Sequence, residues 1–378
     1  MASTVCLIGN GLSVSYSEEL SVARLTHVLQ QRFAELGGGD AEEALAAIAH
    51  DMGHDNPEAF ELLLGPLESL SRAVWGLSGL TALAQQPGGE IAACGATLSE
   101  FARAVHRIGL AIVLGLIADH SVGVGGGQFD ATVMRVCRTL VEECQPDEGT
   151  GDYLTIATLN YDGLLTSALK KLHDAGLCRL SDLGHGAFAD HRHVSHGAAS
   201  VDCWSLRTYD DMIGDTHLLH LHGSLGWLSD PETGETWKFD LQGLRAPAGW
   251  PDPYWGKLGE GLGTVVPRVV LTDQKQRAIT EWPFSLAYSI FEQRLVDSDR
   301  WLIGGYGFGD RPINDALRRA RQERARQDRP PPRVLLVGTS PGIVGQALAS
   351  AGGTGYLVDA DGFPDAMDGD AFEEWVAG

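Results

Sequence analysis

Short apolar runs that end in glycine- or asparagine-bearing turns recur along this chain, and most lead into apolar residues at helical spacing. Val5 to Ile8 runs into Gly9-Asn10-Gly11-Leu12-Ser13, and a helix is predicted from about Glu18 to Glu35. Tyr153 to Ala157 runs into Thr158-Leu159-Asn160-Tyr161-Asp162-Gly163, after which Leu164, Leu165, Ala168 and Leu169 share one helical face. His217 to His222 alternates with period two and stops at Gly223-Ser224-Leu225. Trp301 to Gly305 opens Gly305-Tyr306-Gly307-Phe308-Gly309-Asp310, with a helix from near Pro312-Ile313-Asn314. Arg333 to Val337 enters Gly338-Thr339-Ser340-Pro341-Gly342, and Leu357 to Asp359 is the last predicted strand.

Between the first two strands the period changes. Ala41 to His50, Pro57 to Trp75, Thr97 to Ala118 and Ala131 to Cys144 all space their apolar residues by three and four. Trp227 to Gly263 reads as an irregular excursion over the sheet. Arg268 to Thr272 reads as a strand and Pro283 to Leu295 as a helix. The pattern predicts an α/β fold: a Rossmann-like, mostly parallel sheet with helices on both faces. Residues 1–36 and 151–378 form that domain, and 37–150 form an inserted helical subdomain.

Charge narrows the class of partner. The net charge is −22 and the pI about 4.9, which argues against direct nucleic-acid binding through a basic surface. The basic run Arg318 to Arg329 is interrupted by Glu323 and Asp328 and reads as a solvated helix end. The six cysteines form no Cys-x-x-Cys pair or disulfide framework, which fits a reducing, cytoplasmic setting. No basic leader precedes the first strand. The apolar run Ile108 to Ala118 is too short to span a bilayer, so no membrane association is expected.

The turns carry the candidate chemistry, because open α/β sheets bind ligands at the carboxyl ends of their strands. The first turn has glycines that permit close backbone approach and a following helix N-terminus suited to a phosphate. It lacks the third glycine of the common dinucleotide fingerprint, since Val14 stands there. Asn160 can orient a water or a sugar hydroxyl, and Asp162 can accept from a ribose diol; both can equally cap the next helix. His222, at a strand end, is placed to act as a general base. Glu61 can face a site or the solvent. His185, His191, His193 and His196 have a spacing that permits metal binding, but a Gly- and Ala-rich surface loop holds neutral histidines without one. That loop reads as covering the site or contacting a partner.

Taken in order, four motifs resemble the sirtuin superfamily. Gly9-x-Gly11-x-Ser13 resembles its phosphate-binding loop, Thr158 to Leu164 its Thr-Gln-Asn-Ile-Asp-Gly-Leu segment, and His222-Gly223 its catalytic His-Gly. Gly304 to Asn314 is similar to the Gly-Tyr-Ser-Phe-x-Asp-x-x-Ile-Asn signature of a bacterial sirtuin-like branch. Deacetylating sirtuins carry two Cys-x-x-Cys zinc pairs after the catalytic His, whereas no Cys lies between His222 and Trp301 here. No zinc or other metal is therefore expected, and Ser15-Tyr16-Ser17 stands where those enzymes carry Gly-Ile-Pro-Asp-Phe-Arg.

The resemblance implies NAD as substrate and hydrolysis to ADP-ribose and nicotinamide, as in regulated effectors of antiphage defence. It further implies a homo-oligomer and a separate partner such as a DNA-translocating ATPase or an Argonaute-type protein. Carried over by motif, Asn160, His222 and Asp162 are catalytic. Gly9, Asn10, Gly11, Ser13, Tyr161, Gly305, Tyr306, Gly307, Asp310 and Asn314 bind NAD. Gly338-Thr339-Ser340 matches the sirtuin Gly-Thr-Ser more literally, so which glycine turn meets which half of NAD stays open. An NAD-dependent protein deacylase and a non-enzymatic NAD or ADP-ribose sensor are the alternatives.

Overall fold

The computed structural model describes residues 3–37, 43, 47, 50, 59–67, 89–144, 153–182, 191–196, 199–206, 214–230, 233–241, 266–271, 275–340, 342–353 and 355–377. Its frame is a seven-stranded sheet built from β1 (Thr4–Ile8), β2 (Leu154–Thr158), β3 (Leu180–Asp182), β6 (Thr216–His220), β10 (Arg300–Gly304), β11 (Arg333–Val337) and β12 (Tyr356–Asp359). The strand order is β12-β11-β10-β1-β2-β6-β3, and every pairing is parallel. Central strands buried on both faces read as continuous apolar runs, and Val5-Cys6-Leu7-Ile8 is buried throughout.

Alternation along β1 distributes the two cores. Cys6 and Ile8 point to one face, where they meet α2 (Val22–Gly37), α3 (Gly89–Ser121), α4 (Arg135–Cys144) and α5 (Leu164–Asp174). Val5 and Leu7 point to the other, where α7 (Phe284–Asp297), α8 (Arg311–Arg326) and α9 (Ile343–Ala351) pack. The α/β architecture with helices on both faces is thus the one the sequence pattern predicts. Phe60, Leu63 and Leu64, in the helical segment 60–67, join the first core together with Val113, Leu114 and Ile117 of α3. At Gly109 of α3, a Cβ would sit 2.4 Å from Leu64 Cδ2, so these helices touch closely.

Several elements differ from the sequence reading. The first helix is broken: α1 (Gly11–Tyr16) and a 3-10 turn, Glu18–Leu20, precede α2. Ser17 and Ser21 are extended, and Ser21 Oγ accepts from Arg24 N at 3.2 Å, capping α2. The helix placed at Ala131 to Cys144 begins with a π turn, Asp130–Met134. The run Ile108 to Ala118 belongs to a longer stretch, Glu100–Ser121, that is long and apolar enough to cross a membrane by length and composition alone. In the fold Val113, Leu114, Ile117 and Ala118 of that stretch are core residues.

The largest correction concerns the His-rich segment and the Trp227 excursion. His191–His196 is a strand, β4, paired antiparallel with β5 (Ala199–Ser205). With β7 (Gly223–Ser229), β8 (Thr236–Phe239) and β9 (Val266–Val269) they form a second sheet, in the order β4-β5-β8-β7-β9. Trp227 and Trp237 are fully buried there. The charged Lys238 of β8 pairs with Asp182 of β3, a buried ion pair between the two sheets. His185, most of Ala41 to His50, and the span 242–265 lie outside the described residues. After β12 the chain makes one more helix, α10 (Asp370–Ala377), whose Trp375 Nε1 donates to Arg333 O at 3.2 Å.

Two buried histidines on β6 link fold stability to pH. Burial lowers His220 from its ordinary 6.5 to about 4, and burial together with Arg294 does the same to His217. The unfolded chain therefore binds protons in a range where the folded chain does not. The stabilisation is present above pH 6.5 and is lost as pH falls towards 4, by about 3 kcal/mol for each histidine. The melting temperature is expected to fall across that window in thermal denaturation. His220→Gln, which takes up no proton there, is expected to lose less.

Candidate functional site

The parallel register brings four turns to one edge. Gly304, Ile8, Thr158 and His220 stand side by side on β10, β1, β2 and β6. The residues just beyond them, Gly305, Gly9-Asn10, Leu159-Asn160 and Leu221-His222, therefore form a row at the carboxyl edge. β1 is also where the strand order reverses, with β2 on one side and β10 on the other. Such a switch point opens a crevice.

Glycine is required where the first and last of these turns touch. Gly9 N donates to Gly304 O at 2.9 Å, and Gly11 N to Gly305 O at 3.0 Å. A Cβ on Gly9 would lie 2.5 Å from Gly305 O, and one on Gly11 would lie 2.5 Å from Gly305 Cα. Gly305 itself has φ +62° and sits against the Gly11 backbone. The amides of Gly9 and Gly11 are thus engaged by the neighbouring turn.

Ser13, Asn160 and Asp162 form one buried node. Asn160 Nδ2 donates to Gly9 O at 3.1 Å and to Ser13 Oγ at 2.8 Å. A carbonyl can only accept, so the amide orientation is fixed by Gly9. Ser13 Oγ in turn donates to Asp162 Oδ2, and Asp162 Oδ1 accepts from Leu164 N at 3.0 Å. Burial raises the Asp162 pKa against these hydrogen bonds. Among the described residues, Asn160 Oδ1 has no partner within the node and remains able to accept a hydrogen bond.

A second node gathers around Asp310. Its Oδ1 accepts from Ile313 N at 3.2 Å and caps α8. Its Oδ2 lies 3.2 Å from His222 Nε2 and 2.9 Å from Lys275 Nζ. The His222 contact is at ion-pair distance without full hydrogen-bond alignment. Burial pushes the Asp310 pKa up, but His222 and Lys275 outweigh it and hold the carboxyl well below its usual range. Lys275 sits on α6 (Lys275–Ala278) and lies 3.5 Å from Glu61 Oε2. Burial works against its charge, and Glu61 and Asp310 keep its pKa raised. Tyr161 OH lies 2.7 Å from both Glu61 Oε1 and Val270 O.

Tyr306 and Asn314 turn inward rather than onto a ligand surface. Tyr306 OH accepts from Asp310 N at 3.1 Å and lies 2.9 Å from Asn314 Oδ1, and Asn314 Nδ2 donates to Phe308 O at 2.8 Å. They brace a turn in which Phe308 has φ 56°, a strained conformation for an aromatic residue. Gly307 faces open space. The Gly338-Thr339-Ser340 turn stands one strand further out, where Gly338 N donates to Asp359 O at 3.0 Å. It is the Gly305 turn that meets Gly9 and Gly11.

A cleft of about 420 Å³, including its open mouth, lies over this edge. Asn10, Asn160, Tyr161, Asp162 and Glu61 supply its polar wall, and Leu25, Phe60 and Ile117 are among its apolar residues. Glu61 thus faces the site and is not a solvated helix position. Lys275 gives no signal in the sequence, because its partners Glu61 and Asp310 are remote along the chain. His191, His193 and His196 belong to β4, in the second sheet. Among the described residues no group of three or more His, Cys, Asp or Glu side chains is placed to hold a metal ion.

The architecture is a doubly wound α/β domain with a cleft beside the carboxyl ends of β1 and β2. A family model described as the SIR2-like domain matches residues 154–352, more than half of the chain, and the chain belongs to that family. No curated protein matches it in sequence. Among solved structures, a Sir2 homologue in complex with NAD is similar at 13% identity and TM-score 0.44, covering 99% of this chain and 88% of the other. A mutant Sir2 homologue with 2'-O-acetyl ADP ribose is similar at 13% identity and TM-score 0.41, covering 99% and 90%.

The glycine contacts yield a paired prediction. Gly305→Ala forces a Cβ into the Gly11 backbone at positive φ and is expected to cost roughly 2–4 kcal/mol. Gly307→Ala meets nothing within 4 Å and is expected to leave the melting temperature nearly unchanged. Thermal denaturation of the two variants side by side checks this.

Proposed function

We propose that this protein hydrolyses NAD to ADP-ribose and nicotinamide. The observation that carries the reading is the juxtaposition, on neighbouring strand ends, of the Ser13–Asn160–Asp162 node and the His222–Asp310 pair. Membership of the SIR2-like family supports it.

Cleavage of the nicotinamide–ribose bond leaves the bonding electron pair on nicotinamide and positive charge on the ribose, as in glycoside cleavage. Water then attacks C1', and one proton is released. Asn160 Oδ1 is the acceptor that orients this water or a ribose hydroxyl. With Nε2 of His222 facing Asp310, Nδ1 is the ring nitrogen left to take the proton. Both Asp162 oxygens are engaged by Ser13 and Leu164, so Asp162 holds the geometry of Asn160. Gly9, Asn10, Gly11 and Ser13 would flank the pyrophosphate. Gly305 and Gly307 would lie on the adenosine side, with Tyr306, Asp310 and Asn314 bracing their turn. Tyr161 closes the cleft wall.

The motif resemblance supports a wider role as a regulated antiphage effector acting by NAD depletion, as a homo-oligomer with a co-encoded partner. The buried free thiols of Cys6, Cys137, Cys144 and Cys178 fit a cytoplasmic setting.

Purified protein incubated with NAD, alone and with any co-encoded partner, is expected to yield nicotinamide and ADP-ribose in equal amounts by chromatography. Asn160→Ala and His222→Ala are each expected to lose at least about 100-fold in rate while keeping the circular dichroism spectrum. Full activity in both variants refutes the mechanism. Consumption of NAD that depends on an acyl-lysine peptide would identify a deacylase, and binding without turnover a sensor.

A further inference from the structure

Asp310 is a buried carboxylate with two nitrogen neighbours on a single oxygen. Oδ1 is occupied by the N-terminus of α8, and Oδ2 faces His222 Nε2 at 3.2 Å and Lys275 Nζ at 2.9 Å. A buried carboxylate needs a counter-charge, since an unpaired one costs several kcal/mol. If the imidazole alone met that need, it would be held protonated, and a protonated imidazole accepts no further proton. Lys275 is itself fixed from the far side by Glu61 at 3.5 Å, whose other oxygen meets Tyr161 OH at 2.7 Å.

We propose that Lys275 is a positioning residue for His222: by carrying the counter-charge of Asp310 it frees the imidazole to act as a base. The inference rests on the NAD-cleavage reading, in which His222 takes the proton. It adds a residue that lies outside all four sequence motifs and reaches them only through Asp310. Three separate segments build the device: 60–67 supplies Glu61, α6 supplies Lys275 and the turn after β10 supplies Asp310.

The titratable groups around this pair are Asp310, Lys275, Glu61, Tyr161, Tyr288 and Tyr306. The three tyrosines have raised pKa values, chiefly through burial, and stay neutral through the working pH range. Replacing Lys275 by a neutral residue therefore leaves uncompensated negative charge beside His222. A nearby opposite charge favours the protonated imidazole.

The test is a pH titration of histidine-labelled full-length protein by NMR, with the His222 resonance assigned by its loss in His222→Gln. Lys275→Met is expected to raise the His222 midpoint by about one pH unit or more. The acidic limb of kcat/KM for NAD cleavage should rise by the same amount. Lys275→Arg, which keeps the charge, is expected to return both towards wild type. Lys275→Gln serves in the same way if the Met variant does not fold. A midpoint that stays put in the folded neutral variant, or that moves equally in Lys275→Arg, overturns the proposal. A wild-type chain that leaves NAD intact sinks the function reading instead, while the NMR titration still judges the coupling of Lys275 to His222.

Discussion

The contact between two glycine turns, Gly9-Asn10-Gly11 and Gly304-Gly305, sets the geometry of everything at the cleft. Backbone lies against backbone there, with two amide-to-carbonyl hydrogen bonds and no room for a Cβ on either side. Such an approach is open to glycine alone. It fixes the ends of β1 and β10 relative to one another. Ser13, one turn of helix beyond, is thereby aimed at Asn160 and Asp162. On the other side, Asp310 is placed at the head of α8 to meet His222.

The polar groups of the site are organised as two chains, one of hydrogen bonds and one of ion pairs, rather than as scattered side chains. In the first, Ser13 both accepts and donates, so that neutral Asn160 and buried Asp162 constrain each other. In the second, charge alternates through Glu61, Lys275 and Asp310 before reaching His222. Burial strengthens each link electrostatically and makes the loss of any one partner costly. The first chain fixes positions and leaves one acceptor, Asn160 Oδ1, without a partner inside it. The second bears on protonation. That division suits the hydrolysis proposed above, which needs one oriented water and one proton acceptor.

The second sheet grows directly out of the carboxyl edge of the large one. His222 lies just beyond the end of β6, and Gly223, at φ +88° where a Cβ would lie 2.1 Å from Arg268 O, starts β7 of the antiparallel sheet. Val270 N donates to His222 O at 3.0 Å, and Tyr161 OH reaches Val270 O. The backbone around His222 is therefore held by the small sheet as well as by the large one. The Lys238–Asp182 pair ties the far side of that sheet to β3. The position of His222 depends on both sheets being in place.

Periodicity by itself determined six of the seven strands of the large sheet, the helices on both faces and the turns that meet at its edge; β3 is too short to announce itself, and the run Arg268 to Thr272 proved to overlap β9 of the second sheet. Those features are local: buried strands are continuous apolar runs, helices repeat at three and four, and glycine marks a turn wherever it stands. Asn160, Asp162, His222 and Asp310 were legible because each follows a strand in such a turn. The second sheet was not. Antiparallel pairing of His191–His196 with Ala199–Ser205 depends on cross-strand partners, and a histidine-rich run carries no apolar alternation to announce it. Lys275 and the orientation of Glu61 were decided only by tertiary structure. An ion pair between residues 61, 275 and 310 leaves no trace in the sequence near any of them, since the field that fixes it exists only once three distant segments have been folded into one low-dielectric site.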